Sequence, residues 1–175
     1  MYGDIPNLLL QKWPAPEFSC ITTIHLDGLG AGDEAGVISM GMDYGLISFV
    51  RNADGILVKT VLGHQIFDRI LVKETKEETT LIEQLPIDTK TVSVRYLVER
   101  VGTRDLSETE RNFPKELVHL SYSINGTDYK TVCSMTSAPG RWVGVKNGVF
   151  CVSSQEGSKG HAAIASVLYE FPAGV

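Results

Sequence analysis

Apolar and polar positions alternate through much of this chain. From Ser19 to Leu26 the alternation runs through Cys20, Thr22, Ile24 and Leu26. From Thr89 to Arg100 it places Val92, Val94, Tyr96 and Val98 on one face and Ser93, Arg95 and Glu99 on the other. A repeat of two is the pattern of a half-buried strand. The densest apolar region is Asp33 to Gly63. Two apolar runs flank Asp43-Tyr44-Gly45, which places Asp43 and Tyr44 at a turn tip where a polar-aromatic pair can reach a partner, and a third follows a turn at Ala53-Asp54-Gly55. Asp-Gly between apolar runs signals a hairpin, because glycine accepts the positive φ of turns that match strand twist. These runs are apolar on both faces and contain Gly36, Gly41 and Gly45, as expected of strands inside a packed sheet. The region predicts a three-strand antiparallel meander at the centre of an all-β domain.

The flanking segments extend this reading. Asn7 to Phe18 is a short apolar run followed by Pro14-Ala15-Pro16, which forbids a continuing helix or a central strand. Residues 1–16 read as a lead-in and Pro-rich edge. Asp27 to Gly32 is a glycine-rich loop. His64 to Asp88 reads as strand, charged turn over Lys73 to Glu78, then strand. Gly102 to Lys115 is a polar insertion or long loop, with a helical turn expected after Ser107, where Glu110 would complete a capping box. Leu117 to Ile124, Asn125-Gly126 and Tyr129 to Cys133 predict a second hairpin on a type I′ turn. Asn125-Gly126-Thr127 also spells a glycosylation sequon, and the turn role accounts for it. Ser137 to Gly140 reads as a turn, Arg141 to Val152 as a strand pair or bent strand around Asn147-Gly148, and His161 to Phe171 as a closing strand. Many short strands with turn residues between them, and no helix of normal length, predict one domain over residues 1–175. Its fold is a two-sheet antiparallel β-sandwich of jelly-roll type.

Bulk properties narrow the function. A chain of 175 residues builds one well-buried core. Its net charge of −5 supplies no basic stripe for phosphates, which argues against nucleic acid while leaving neutral ligands such as sugars open. No apolar run approaches the roughly 18–20 residues that span a bilayer, so no membrane partner is expected. The N-terminus lacks a basic-then-apolar leader, so the sequence reads as a mature or excised segment and its compartment is not legible. Cys20, Cys133 and Cys151, odd in number and widely spaced, make neither a disulfide framework nor a zinc site and read as buried thiols.

Four segments resemble, in order, the C-terminal β-sandwich module of glycoside hydrolase family 43 enzymes, the β-xylosidases and α-L-arabinofuranosidases. Asn7-Leu8-Leu9-Leu10-Gln11-Lys12-Trp13-Pro14-Ala15-Pro16-Glu17-Phe18 resembles the lead-in of that module. Ala35-Gly36-Val37-Ile38-Ser39-Met40-Gly41-Met42-Asp43-Tyr44 is similar to its Ala-Gly-Leu-Ile-x-Met-Gly-x-Asp-Tyr segment. Leu120 to Gly126 is similar to its Tyr-Ser-x-Asp-Gly hairpin. Gly140 to Cys151 is similar to its Gly-x-Trp-Ile-Gly-x-Lys-x-Gly-Leu-Phe-Cys segment. The resemblance implies a concanavalin A-like sandwich whose partner is a catalytic β-propeller carrying the acid and base carboxylates. No positions here correspond to that propeller. The last strand of the family often carries two acidic residues after Gly-x-Ala. Ala163 and Ala165 stand at those positions, a departure that bears on any metal or polar contact made through them.

Glycosidic cleavage needs two carboxyls facing each other across a sugar, one of them held protonated. Concanavalin-like folds that do this carry an array such as Glu-x-Asp-x-x-Glu on one strand face, and this chain has none. Glu74, Glu77 and Glu78 read as solvated, and Asp33 and Glu34, being adjacent, point to opposite faces of a strand. His25, His64, His119 and His161 lack metal-ligand spacing, no Gly-x-Ser-x-Gly elbow presents a nucleophile, and Gly28, Gly30 and Gly32 precede no helix. A sugar or domain contact would use aromatic faces beside polar groups. The candidates are Trp13, Asp43, Tyr44 and Trp142, with Trp142 also suited to a core position among Val143, Val145 and Val149. No catalytic residue and no cofactor is expected, with a structural calcium ion between strands left undecided. The expected role is a non-catalytic accessory module that packs on the propeller and shapes its active-site mouth. The alternatives are a free-standing carbohydrate-binding or lectin-like module, with xylo- or arabino-oligosaccharides as ligands, and a hydrolase in its own right.

Overall fold

A computed structural model of the chain describes residues 7–68, 71–100, 116–137 and 144–172. These residues contain eleven strands and no helix. The strands are β1 Leu8–Lys12, β2 Phe18–His25, β3 Asp33–Met40, β4 Asp43–Asn52, β5 Gly55–Asp68, β6 Leu71–Leu85, β7 Thr91–Arg100, β8 Glu116–Ser123, β9 Lys130–Thr136, β10 Lys146–Ser153 and β11 Ala163–Glu170. A six-stranded sheet has the order β1-β10-β3-β4-β5-β6, and a five-stranded sheet the order β11-β2-β7-β8-β9. All pairings are antiparallel. The two-sheet antiparallel β-sandwich read from the alternation is the fold observed, with the meander β3-β4-β5 in the larger sheet.

The alternating residues meet between the sheets. Phe18, Cys20 and Ile24 of β2 join Val92, Val94, Tyr96 and Val98 of β7, and these pack with Val37, Ile47, Phe49 and Val58 of the meander. The intervening positions explain why the meander is apolar on both faces. Ile38, Tyr44, Leu46, Val61 and Phe150 form a second buried cluster on the opposite face of the six-stranded sheet. Glycines let backbones approach there. A Cβ at Gly148 would stand 2.1 Å from the Leu9 carbonyl oxygen, so β1 can lie against β10 only because that position has no side chain.

Several expectations are corrected. Lys73 to Glu78 is not a turn but part of β6, which pairs with β5 through Leu62↔Glu78, Gly63↔Glu77 and His64↔Lys76. β6 is an edge strand, where charged side chains reach water and deter pairing with other chains. Asn147-Gly148 does not separate a strand pair; both lie within the single strand β10 between β1 and β3. Asn125-Gly126 does not form a two-residue hairpin turn, because the connection occupies residues 124–129. The Asn125 side-chain oxygen there accepts from the amides of Thr127 at 3.0 Å and Asp128 at 2.9 Å, while Gly126 takes φ +79°. The turn between β3 and β4 is Gly41-Met42, so Asp43 and Tyr44 open a strand and do not form a turn tip. The helical turn expected after Ser107, most of the turn expected at Ser137 to Gly140, and Trp142 lie outside the described residues.

At the far end of β3, the buried carboxylate of Asp33 ties two loops together. It accepts from the Gly30 amide at 2.7 Å and from the Ser158 hydroxyl at 2.7 Å. Hydrogen bonding from Ser153, Ser158 and Gly30 holds its carboxyl below the usual range despite burial. A lowered native pKa stabilises the fold above the unfolded value, about 3.9, and the contribution disappears as pH falls through the native value. Asp33→Ala is expected to cost about 3 kcal/mol at pH 7. Urea unfolding at descending pH should show the gap between wild type and variant closing below about pH 4.

Candidate functional site: one end of the six-stranded sheet

Strand register gathers three of the four candidate residues at one end of the larger sheet. The pairs Lys12↔Lys146, Lys146↔Met40, Met40↔Tyr44, Tyr44↔Gly63 and Gly63↔Glu77 form one row across all six strands. Trp13 follows the first member of this row, and Asp43 precedes Tyr44. Trp142 lies outside the described residues.

Tyr44 is only 1% exposed. Its ring lies over Gly63, where a Cβ would stand 1.9 Å from the ring carbon Cζ. The phenol donates to the Glu77 carboxylate on β6. Burial, reinforced by the hydrogen bond and charge of Glu77, pushes the phenol above its ordinary range, so it remains a neutral donor at neutral pH. Beside it, His64 Nδ1 and Asp43 Oδ1 form a hydrogen-bonded pair between β5 and β4. These groups line a groove of about 410 Å³ together with Leu62, Lys76, Glu78, Met135 and Thr136. Gly63→Ala is expected to push the Tyr44 ring off its seat and cost about 2 kcal/mol, read by urea unfolding and a weakened near-ultraviolet tyrosine signal.

Trp13 turns inward. Its indole Nε1–H donates to the Tyr96 hydroxyl at 2.9 Å, and its ring meets Phe18 and Tyr96 edge-on at 5.9 and 6.2 Å. This side chain fastens the connection by which the chain crosses from β1 in one sheet to β2 in the other.

The groove offers hydrogen-bonding groups beside an aromatic residue, which suits a polar ligand or a neighbouring domain. It does not present two free carboxyls. Asp43 is engaged by His64, and Glu77 by Tyr44. The described carboxyls with displaced pKa, Asp33 and Glu83, are both displaced downwards, the direction opposite to that of a general acid. Among the described residues, no three His, Cys, Asp or Glu side chains are placed to hold a metal ion.

Sequence reasoning did not find His64, Glu77 or Gly63 as members of this site. Glu77 was hidden by reading its charged run as a turn. Gly63, a strand-interior glycine facing an aromatic residue, was the available signal, since such glycines mark close approach.

The two stacked antiparallel sheets define a concanavalin A-like β-sandwich. The chain belongs to the family described as the β-xylosidase C-terminal concanavalin A-like domain, whose sequence model matches residues 3–170. No curated protein sequence matches it. Its structure is similar to part of a bifunctional GH43-CE protein from Bacteroides eggerthii, at 18% identity and TM-score 0.69, covering 97% of this chain and 19% of that one. It is also similar to part of a GH43 glycoside hydrolase engineered at its active site to display endo-xylanase and exo-arabinofuranosidase activity. There the identity is 15% and the TM-score 0.67, over 95% of this chain and 31% of that one. A xylan β-1,4-xylosidase from Bacillus halodurans C-125 matches at 12% identity and TM-score 0.62, over 94% of this chain and 29% of that one. The chain thus spans less than a third of the length of each of these proteins.

Proposed function

We propose that this chain is a non-catalytic accessory module of a family 43-type glycoside hydrolase acting on xylan- or arabinan-type sugars. It packs on the catalytic propeller and shapes the active-site mouth through the end that carries Asp43 and Tyr44, with Trp142 as a further contact. The observation that carries this reading is the family match over residues 3–170. The engagement of Asp43 and Glu77 by neighbouring side chains supports it, since a glycosidase needs one carboxyl protonated and the other free to attack or activate water.

The test is turnover of aryl β-xylosides and aryl α-L-arabinofuranosides. The 175-residue chain is expected to show none above background, and the parent polypeptide to show turnover. Robust hydrolysis by the chain alone would refute the non-catalytic role. Calorimetry with xylo- and arabino-oligosaccharides separates the accessory role from a carbohydrate-binding module. Saturable binding by the chain, lost in a folded Asp43→Ala variant, would favour the latter.

A further inference from the structure

The outer face of the five-stranded sheet is a platform of small polar side chains. Its hydroxyls pair across strands, Thr23 with Ser93 at 3.3 Å and Ser121 with Thr131 at 2.9 Å. Arg95 stands in the middle of this platform. It lies on β7, the central strand, between Ile21 of β2 and Ser121 of β8. Strand alternation turns its neighbours Val94 and Tyr96 into the core and Arg95 outwards.

Arg95 is a cation without an anion. Its guanidinium carbon stands 4.6 Å from the centre of the Tyr129 ring, a cation–π contact that steadies the plane of the group. None of the ion pairs among the described residues includes it. Its Nε–H is buried and has no hydrogen-bond partner. Leaving a buried donor unpaired costs about 1–3 kcal/mol, more when the group is charged. Glu99, the carboxylate at an outward position of the same strand, lies four residues on, about 13 Å away at roughly 3.3 Å per residue. It is engaged by His119 at 3.1 Å. At the outward positions of β2, β7 and β8, Arg95 is the only lysine or arginine. Packing therefore uses the face of the guanidinium and leaves its donors unused.

We propose that Arg95 and the hydroxyls around it bind a sugar that carries a carboxylate, a uronic acid residue. The planar fork of a guanidinium matches a carboxylate through two parallel hydrogen bonds, and the pairing gives its donors the acceptors they lack. The hydroxyls of Thr23 and Ser93 on one side and of Thr131 on the other are placed to exchange hydrogen bonds with ring hydroxyls. Ile21, directly across from Arg95, offers an apolar surface to the C–H face of the ring. Tyr129 acts as a positioning residue, holding the guanidinium flat from the far side. Each half of the ligand answers a different half of the site. A neutral sugar leaves the guanidinium unpaired, and a bare carboxylate leaves the hydroxyls unused. The site lies on the other sheet from the end that carries Asp43 and Tyr44, and it does not depend on the accessory-module reading.

Nitrogen–proton NMR spectra of the 175-residue chain can follow the Arg95 Nε–H signal as methyl β-D-glucuronide is added. Methyl β-D-xyloside, the same ring without the carboxylate, and acetate, the carboxylate without the ring, are titrated beside it. The glucuronide is expected to move the signal saturably, with an affinity about tenfold or more above that of either comparison compound. Arg95→Lys keeps the charge and loses the fork, and should weaken glucuronide binding about tenfold, followed on the amides of Ser93 and Thr131. The three titrations of the wild-type chain decide the question without the variant. Absence of a saturable shift overturns the site. Equal affinity for the xyloside overturns the carboxylate class, and equal affinity for acetate overturns the sugar. Undiminished binding by Arg95→Lys overturns the role given to the guanidinium.

Discussion

Gly36→Ala is expected to destabilise the sandwich by about 3 kcal/mol, the upper end for an overpacked site. Gly36 lies in β3 between Phe150 of β10 and Ser48 of β4. A Cβ at this position would stand 2.1 Å from the Ile47 carbonyl oxygen and 2.9 Å from the Ser48 Cα. Both obstacles are backbone atoms, so no rotamer change relieves the clash. Relief requires β3 and β4 to separate at the centre of the meander, where Ile47 and Phe49 anchor the main core. Gly144 provides the control. An added Cβ there meets nothing within 4 Å, and Gly144→Ala should leave stability within about 0.5 kcal/mol of wild type. Urea midpoints for the three proteins decide the matter. Equal midpoints for Gly36→Ala and wild type would mean that β3 and β4 do not approach this closely.

The second large effect is expected from removing one oxygen. The Tyr96 hydroxyl, between the sheets, accepts from the Trp13 indole at 2.9 Å and lies 2.7 Å from the Ser39 hydroxyl. It connects β7 of one sheet with β3 of the other and with the crossing between β1 and β2. Tyr96→Phe preserves the ring and leaves the indole N–H and the buried Ser39 hydroxyl without this partner. At about 1–3 kcal/mol for each buried unsatisfied group, the expected loss is about 2–4 kcal/mol. Tryptophan emission should shift to the red as Trp13 loosens. Burial also pushes the Tyr96 phenol above its ordinary range, and the Tyr44 and Tyr122 phenols move the same way. A raised native pKa gives stability that is complete below the unfolded value, about 10, and lost as pH rises towards the native value. The alkaline limb of unfolding should therefore be shallower in Tyr96→Phe than in wild type. A variant as stable as wild type at pH 7 would show that this hydroxyl does not hold the two sheets.

The same physics explains what could be read in advance at the candidate site. Asp43 and Tyr44 stood out because a polar-aromatic pair followed an apolar run. Their setting was misread, since nothing local distinguishes a turn at Asp43-Tyr44-Gly45 from one at Gly41-Met42. The cross-strand register decides between them by pairing Met40 with Tyr44. Trp13 beside two prolines suggested an outward contact, yet its ring lies against Phe18 and Tyr96, which are distant in sequence from each other. The run Lys73 to Glu78 resembled a solvated turn because charge density alone cannot separate a loop from the outermost strand of a sheet. Both leave side chains in water.

The amino-acid sequence by itself determined that this protein is an all-β sandwich. Period-two alternation and strand-breaking residues act over a few positions, and burying one face of each strand leaves few other architectures. It also determined family membership, through short motifs in a set order. Which strands became edges, and therefore where charge protects a side, was decided only by the tertiary structure. So was the row that joins Tyr44, Gly63 and Glu77. Edge position and cross-strand neighbours depend on pairings between segments far apart in the chain, and no local pattern of residues encodes those pairings.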